Sequence, residues 1–376
     1  MHTHLRFALT SLALAGLACG SSAPSPTPAP TPVAASVFDS SRTTYGFFPS
    51  PPEVTLESVL KHFEALGQHA DFALVQENIP WEDFVSDSTG DSQKATDLRN
   101  LVTLARQEGL EAVFIVDALN GLNRREFMGL PAGWEASFAN PDVRSTFANF
   151  ALWIVREFKP RYLGLASEIN TYADAHPDDF ANYLSLYREV VAQVKAEAPE
   201  TQIFVTFQWE DLNNLFPTAA EGRAAYATNW DQVEAFEPDL DVWVISSYPF
   251  FIFPSGADIP SGYYTPLLAR TSKPLAVAEG GFTSKPVGAG AISGTPQDQV
   301  DYLNAIHNQL GARLTFWVYL LLNDLNPQAY ANAMTAQGMG ADDVNTLGYF
   351  ASVGLREFDG TPKPALAVWD AFRGEP

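Results

Sequence analysis

Cysteine is almost absent from this chain: among 376 residues only Cys19 occurs. A single thiol excludes any intramolecular disulfide and any cysteine-cluster metal site. Positive charge is scarce as well, with 22 Lys and Arg against 44 Asp and Glu, a net charge of −22. Nucleic-acid partners demand a basic patch, so that class is excluded, and polyanionic substrates such as pectate are disfavoured. The acidic excess reads most simply as a solvated surface that keeps the chain soluble. Of the six histidines, His2 and His4 lie near the N-terminus, His62, His69 and His307 on or just after predicted helices, and His176 in a predicted loop. None forms a ligand pair, so neither a metal nor another cofactor is expected. Gly288-Ala289-Gly290 lacks the lysine and helix of a phosphate-binding loop, and no serine occupies a strand–turn–helix elbow.

The N-terminal apolar run Phe7–Ala18 is shorter than the roughly 20 residues that a membrane span needs. With Arg6 before it and small residues at its end, it reads as an export signal over residues 1–18. Cys19, after Gly16-Leu17-Ala18, resembles the lipidated cysteine of a bacterial lipoprotein, while plain cleavage after Ala18 suits the same residues. Residues 19–35 are rich in Pro, Ser and Thr; alternating prolines from Ser21 to Pro32 remove backbone donors and predict an extended tether. An exported protein is expected, held to the cell envelope by a lipid on Cys19 or else secreted, with one folded domain over 36–376.

From residue 43 onward, short apolar or β-branched runs alternate with segments of helical period. The predicted strands are Thr43–Phe48, Asp71–Gln76, Ala112–Ala118, Tyr162–Glu168, Gln202–Gln208, Val242–Tyr248, Leu275–Glu279 and Leu314–Leu320. The predicted helices are Leu56–Leu66, Gln93–Gln107, Val143–Phe158, Phe180–Ala196, Trp230–Phe236, Tyr263–Ala269, Gln297–Leu310 and Pro364–Phe372. Thr55, Asp178-Asp179 and Thr295-Pro296 are start signals for three of them. Strand–helix units in this succession predict an α/β fold, a (β/α)₈ TIM barrel, whose active face is built from the loops after the strands. The longest of those are Asn120–Asn140 and Glu210–Thr228.

Two carboxylates stand out against that frame. Glu168 closes Tyr162-Leu163-Gly164-Leu165-Ala166-Ser167-Glu168, and Glu279 closes Leu275-Ala276-Val277-Ala278-Glu279. A charge after a doubly buried strand is unfavourable unless it is used. Glycoside hydrolysis needs two such groups facing one cavity, about 5–5.5 Å apart when configuration is retained. Mutual repulsion then raises one pKa, which keeps an acid available.

The segment Leu163–Tyr172 resembles the fourth-strand motif of clan A glycoside hydrolases, where the acid/base glutamate ends the strand. Leu275–Phe282 resembles their seventh strand, which carries the nucleophile. Ile245-Ser246-Ser247-Tyr248-Pro249-Phe250-Phe251 resembles the sixth strand of family 53 endo-β-1,4-galactanases, and Phe316-Trp317-Val318-Tyr319 the eighth, where tryptophan commonly floors the sugar site. Phe350–Ala365 resembles the closing segment of many such enzymes. The resemblance implies Glu168 as acid/base, Glu279 as nucleophile and Tyr248 as the group that orients Glu279, with β-linked carbohydrate as substrate.

This chain departs from the pattern twice. Ser167 stands where the clan usually has asparagine to bond the sugar 2-hydroxyl, and Gln76-Glu77-Asn78 stands where many members end strand two with arginine. A non-catalytic, surface-displayed carbohydrate-binding lipoprotein is therefore the rival expectation. Asn170, Gln208, Trp209, Trp81, Trp317 and Asp117 are the further substrate-site candidates, with loop turns or core packing as their alternatives. Glu210 is read as either pocket or solvated surface.

Overall fold

The computed structural model describes residues 36–39, 41–216, 222–336 and 339–375. The expected export signal, Cys19 and the tether lie outside the described residues. Eight strand positions follow in order: β1 (Thr44–Phe47), β2 (Phe72–Asn78), β3 (Glu111–Asp117), β4 (Tyr162–Gly164), β5 in two pieces (Gln202–Phe204 and Thr206–Gln208), β6 (Trp243–Ser247), β7 (Leu275–Gly280) and β8 (Leu314–Tyr319). Every neighbouring pair is parallel. The sheet runs β5–β4–β3–β2–β1–β8–β7–β6–β5, beginning on the first piece of β5 and ending on the second. Only Val205 separates those pieces, so the sheet closes on itself. It is a (β/α)₈ barrel.

The principal helices fill the crossovers: α1 (Leu56–His69), α2 (Gln93–Gln107), α3 (Pro141–Phe158), α4 (Pro177–Glu197), α5 (Trp230–Glu234), α6 (Pro266–Arg270), α7 (Pro296–Leu310) and α8 (Pro364–Arg373). Thr295 and Asp298 form a reciprocal capping box at α7, and Thr55 accepts from the Ser58 amide at α1. Asp178 and Asp179, expected as the start signal of α4, lie inside its first turn, because Pro177 sets the start one residue after His176. Asp179 turns away to accept from Ser137, the Phe138 amide and Tyr172.

The strands bury both faces, which is why they read as nearly continuous apolar runs. One face fills the barrel with a separate cluster that includes Phe72, Ile115, Phe204 and Phe316; the other packs on the helices. Gly164 leaves room for this filling: a Cβ there would lie 2.8 Å from both Ile115 Cγ1 and Phe204 Cε2. Gly164→Ala is accordingly expected to lower stability by about 1–3 kcal/mol through overpacking. Urea unfolding measures this, and an unchanged midpoint would contradict the packing described.

Three features differ from the sequence expectation. β4 ends at Gly164, and Leu165 and Ala166 continue only as single bonds to β5, so Glu168 follows the strand instead of ending it. The loop after β3 contains a hairpin, Leu119–Asn120 with Asn123–Phe127. The connection after β8 holds two helices, Pro327–Ala336 and Ala341–Phe350. Both additions stand at the mouth where β4 and β7 deliver their glutamates.

Candidate active site

A cavity of about 330 Å³ opens at the C-terminal ends of the strands, and both Glu168 and Glu279 line it. Glu168 is placed by a rare backbone conformation, φ 51° and ψ 42°. Left-handed geometry at a bulky residue costs of the order of 1–3 kcal/mol and persists only when neighbours impose it. Here the Glu168 amide donates to Thr206 Oγ1 at 2.7 Å, while the Thr206 amide donates to the Ala166 carbonyl. β5 thus holds the turn that aims the carboxylate.

Glu279 comes from the end of β7, where the register with β6 shifts between Val277 and Glu279. Its Oε1 accepts from the Tyr248 hydroxyl at 2.6 Å. Tyr248 is itself fixed: its amide donates to Glu210 Oε2 at 3.0 Å. Glu210 is fully buried, not solvated, and also accepts from Ser247 at 2.6 Å, Gln208 at 2.6 Å and Tyr263 at 3.2 Å. Burial raises its pKa and these donors pull it back.

The two glutamates meet on one cation that sequence reasoning missed. Arg124, on the hairpin after β3, directs Nε to Glu168 Oε2 at 3.2 Å, and its Nη2 stands 4.0 Å from Glu279 Oε2. Nη2 also donates to Ser167 Oγ at 3.1 Å, and Nη1 pairs with Asp117. Burial opposes the Arg124 charge, but Asp117, Glu168 and Glu279 outweigh it and hold the pKa above its ordinary value. Arg124 thus stands between the carboxylates from β3, although the end of β2 carries none. The available signal was Asn120-Gly121, a turn dipeptide ahead of Arg124-Arg125 in the longest loop of a cation-poor chain.

Glu168 is ion-paired, yet it keeps its place on the cavity wall: its side chain is 12% exposed and that of Glu279 14%. Ser246 also donates to Glu168 Oε1. Burial, then the neighbouring Glu168 carboxylate, pushes Glu279 up to about 7, against the opposing pull of Arg124 and the Tyr248 hydroxyl. Removing that hydroxyl with Tyr248→Phe is expected to lower turnover by about 10²-fold. The acid limb of the pH–rate profile should move upward, because Glu279 then stays protonated to higher pH. An unmoved acid limb would show that Tyr248 does not tune Glu279.

The remaining candidates divide. Gln208 lines the cavity, with Nε2 on Glu210 and Oε1 accepting from the Asp211 amide. Asp117 is buried beneath Arg124, and burial raises its pKa against that cation. Asn170 is fully buried and ties β5 to the Ile169–Ala175 helix through the Gln208 amide and carbonyl. Ser167 gives its hydroxyl to the Arg124 and Thr206 contacts. The three tryptophans lie in the core, away from the cavity wall. Trp317 packs on Tyr45 and Trp369, Trp209 on Trp230 and Tyr264, and Trp81 donates to the Met128 carbonyl. Phe316 and Val318 fill the barrel, so strand alternation turns Trp317 outward. Among the described residues no group of three or more His, Cys, Asp or Glu is placed to hold a metal, and no helix is long and apolar enough to cross a membrane.

No family profile matches the chain, and no curated protein matches it by sequence. Its structural neighbours include glycoside hydrolases. The exo-β-1,4-mannosidase Op5Man5 from Opitutaceae bacterium strain TAV5 superposes over 88% of this chain with a TM-score of 0.59 and 15% identity. This chain spans only 59% of that protein. A GH5_18 protein from Bifidobacterium longum subsp. infantis superposes over 89% of this chain and 80% of its own, with a TM-score of 0.59 and 17% identity. The GH53 catalytic domain from Ignisphaera aggregans does so over 89% and 92%, at 0.56 and 14%. Likeness at these identities establishes the barrel. Families 5, 39 and 113 stand beside family 53, so the likeness of the sixth-strand motif to family 53 is not singled out.

Proposed function

We propose that this protein is a retaining glycoside hydrolase that cleaves β-linked sugars through Glu168 and Glu279. One observation carries the reading: two carboxylates from opposite sides of the barrel line one cavity and share one guanidinium. Burial and the neighbouring carboxylate favour the neutral form of Glu279, while Arg124 and the Tyr248 hydroxyl favour its ionised form. The reactive form has Glu279 ionised and the proton on Glu168. Glu279 then attacks the anomeric carbon as Glu168 protonates the departing oxygen, and the glycosidic bond breaks. Water, deprotonated by Glu168, displaces Glu279 and releases the sugar with its original configuration. Ser167 is engaged by Arg124, so the 2-hydroxyl contact expected of an asparagine there falls to another group on the wall. The sequence expectation of export, with lipidation at Cys19 or cleavage before it, completes the proposal.

The test is release of reducing sugar from β-glucans, β-mannans, β-xylans, β-galactans and short β-glycosides, by the protein and by Glu168→Gln. Release by the unaltered protein alone supports hydrolysis. Binding by both without release would instead make the protein a surface carbohydrate-capture module.

A further inference from the structure

The cavity has two unlike walls. The side built from β3, β4 and β5 is mixed, presenting Arg125, Thr171, Gln208 and Asp211 together with Leu122 and Phe216. The side built after β8 is apolar apart from Thr346, presenting Leu320, Leu321, Leu325, Leu347 and Phe350, the last two and Thr346 from the Ala341–Phe350 helix. None of the chain's eight tryptophans lines the cavity, so it has no indole platform. Its volume, about 330 Å³, is near the lower end of small-molecule sites, which run from roughly 300 to 1,000 Å³.

A sugar unit against the leucine wall would desolvate its hydroxyls without giving them partners. An alkyl or aryl group there loses nothing and removes apolar surface from water. Burying part of a cavity wall in this way also explains why the helix Ala341–Phe350 contributes leucine and phenylalanine on the side that faces the carboxylates. The scissile bond must lie between Glu168 and Glu279, at the seam of the two walls.

We infer that the substrate is a small amphiphilic β-glycoside, one sugar joined through the cleaved bond to an apolar alkyl or aryl group, and not a length of polysaccharide. This rests on the hydrolase reading and narrows its substrate class. Hydrolysis breaks the bond between the anomeric carbon and the glycosidic oxygen; water supplies the hydroxyl to the sugar and the proton to the departing alcohol.

The test pairs octyl with methyl β-glycosides of glucose, galactose, mannose and xylose, below the micelle concentration of the octyl compounds. Both are alkyl alcohols, so differences report the wall and not leaving-group acidity. Affinity is measured calorimetrically on Glu279→Gln, and kcat/KM on the unaltered protein. For at least one sugar, the octyl compound should bind at least about ten-fold more tightly than the methyl compound, since each buried methylene adds to the apolar transfer. Leu347→Ser should bring the ratio toward one, and Phe350→Ser, at a half-buried position more tolerant of change, should do the same. Octyl and methyl compounds binding alike, or neither binding for any of the four sugars, would overturn the inference. Cleavage of methyl glycosides or disaccharides with no octyl preference would overturn it while leaving the hydrolase reading intact. Selective octyl binding without cleavage would overturn the hydrolase reading, and with it the substrate, leaving only the apolar preference of the wall.

Discussion

Exchanging Glu279 for glutamine is expected to lower hydrolysis by about four to six orders of magnitude while making the protein more stable at alkaline pH. The amide keeps the shape of the carboxyl, and its oxygen still accepts from the Tyr248 hydroxyl, so the pocket should stay closed around it. What disappears is the proposed nucleophile, together with a charge that burial and Glu168 oppose. Glu279 is pushed up to about 7 in the folded protein from an ordinary value of 4.5. A carboxyl whose folded pKa lies above its unfolded value binds more protons when folded, so its contribution falls as pH rises between those two values. Over that interval the loss is about 3 kcal/mol. Urea unfolding at pH 5 should therefore find the two proteins alike, and at pH 8 should find Glu279→Gln the more stable by about that amount. A variant less stable than the unaltered protein at pH 8 would mean that ionised Glu279 is favoured by Arg124 more than it is opposed by Glu168.

Arg124→Gln should have the second largest effect. The guanidinium is the only cation in contact with Asp117, Glu168 and Glu279 among the described ion pairs. Its loss leaves buried carboxylates facing one another, and removing one partner of a buried pair typically costs about 3–5 kcal/mol. The penalty should be largest at pH 8 and shrink toward pH 5, as the carboxyls take up protons and the repulsion fades. Since Arg124 pulls Glu279 downward, the acid limb of activity should also move up, with turnover reduced by about 10²–10³-fold. Arg124→Lys should restore much of the stability and less of the activity, because an ammonium supplies charge without the fork that reaches Glu168 and Ser167 together. Unchanged stability in Arg124→Gln would show that the hairpin is not what holds the carboxylates in place.

The barrel was legible because doubly buried strands and amphipathic helices leave local signatures; α2 ends where its periodicity ends, and each predicted strand overlaps an observed one. Closure was not local: it depends on β5 breaking at Val205 and bonding β4 with one piece and β6 with the other. The positions of Glu168 and Glu279 after apolar runs were visible for the same reason as the strands. Arg124 was not, since the contacts that give it meaning are with Glu168 and Ser167, remote in sequence, and depend on a hairpin folding back over the mouth. The tryptophans failed as guides for a different reason. A ring near a strand end takes either face of the strand, and for Trp317 the helix side won because Phe316 occupies the interior. For Glu210 the sequence left pocket and surface open, and its burial follows from four donors supplied by β5, the end of β6 and the loop before α6.

Covalent trapping tests the central claim most directly. A 2-deoxy-2-fluoro β-glycosyl fluoride of an accepted sugar slows the second displacement, so the sugar should accumulate as an ester on the nucleophile. Peptide mass spectrometry is expected to place that ester on Glu279, with the hydrolysed product of an ordinary substrate released in its starting anomeric form. An ester on Glu168, or release of the inverted anomer with no ester at all, would contradict the account.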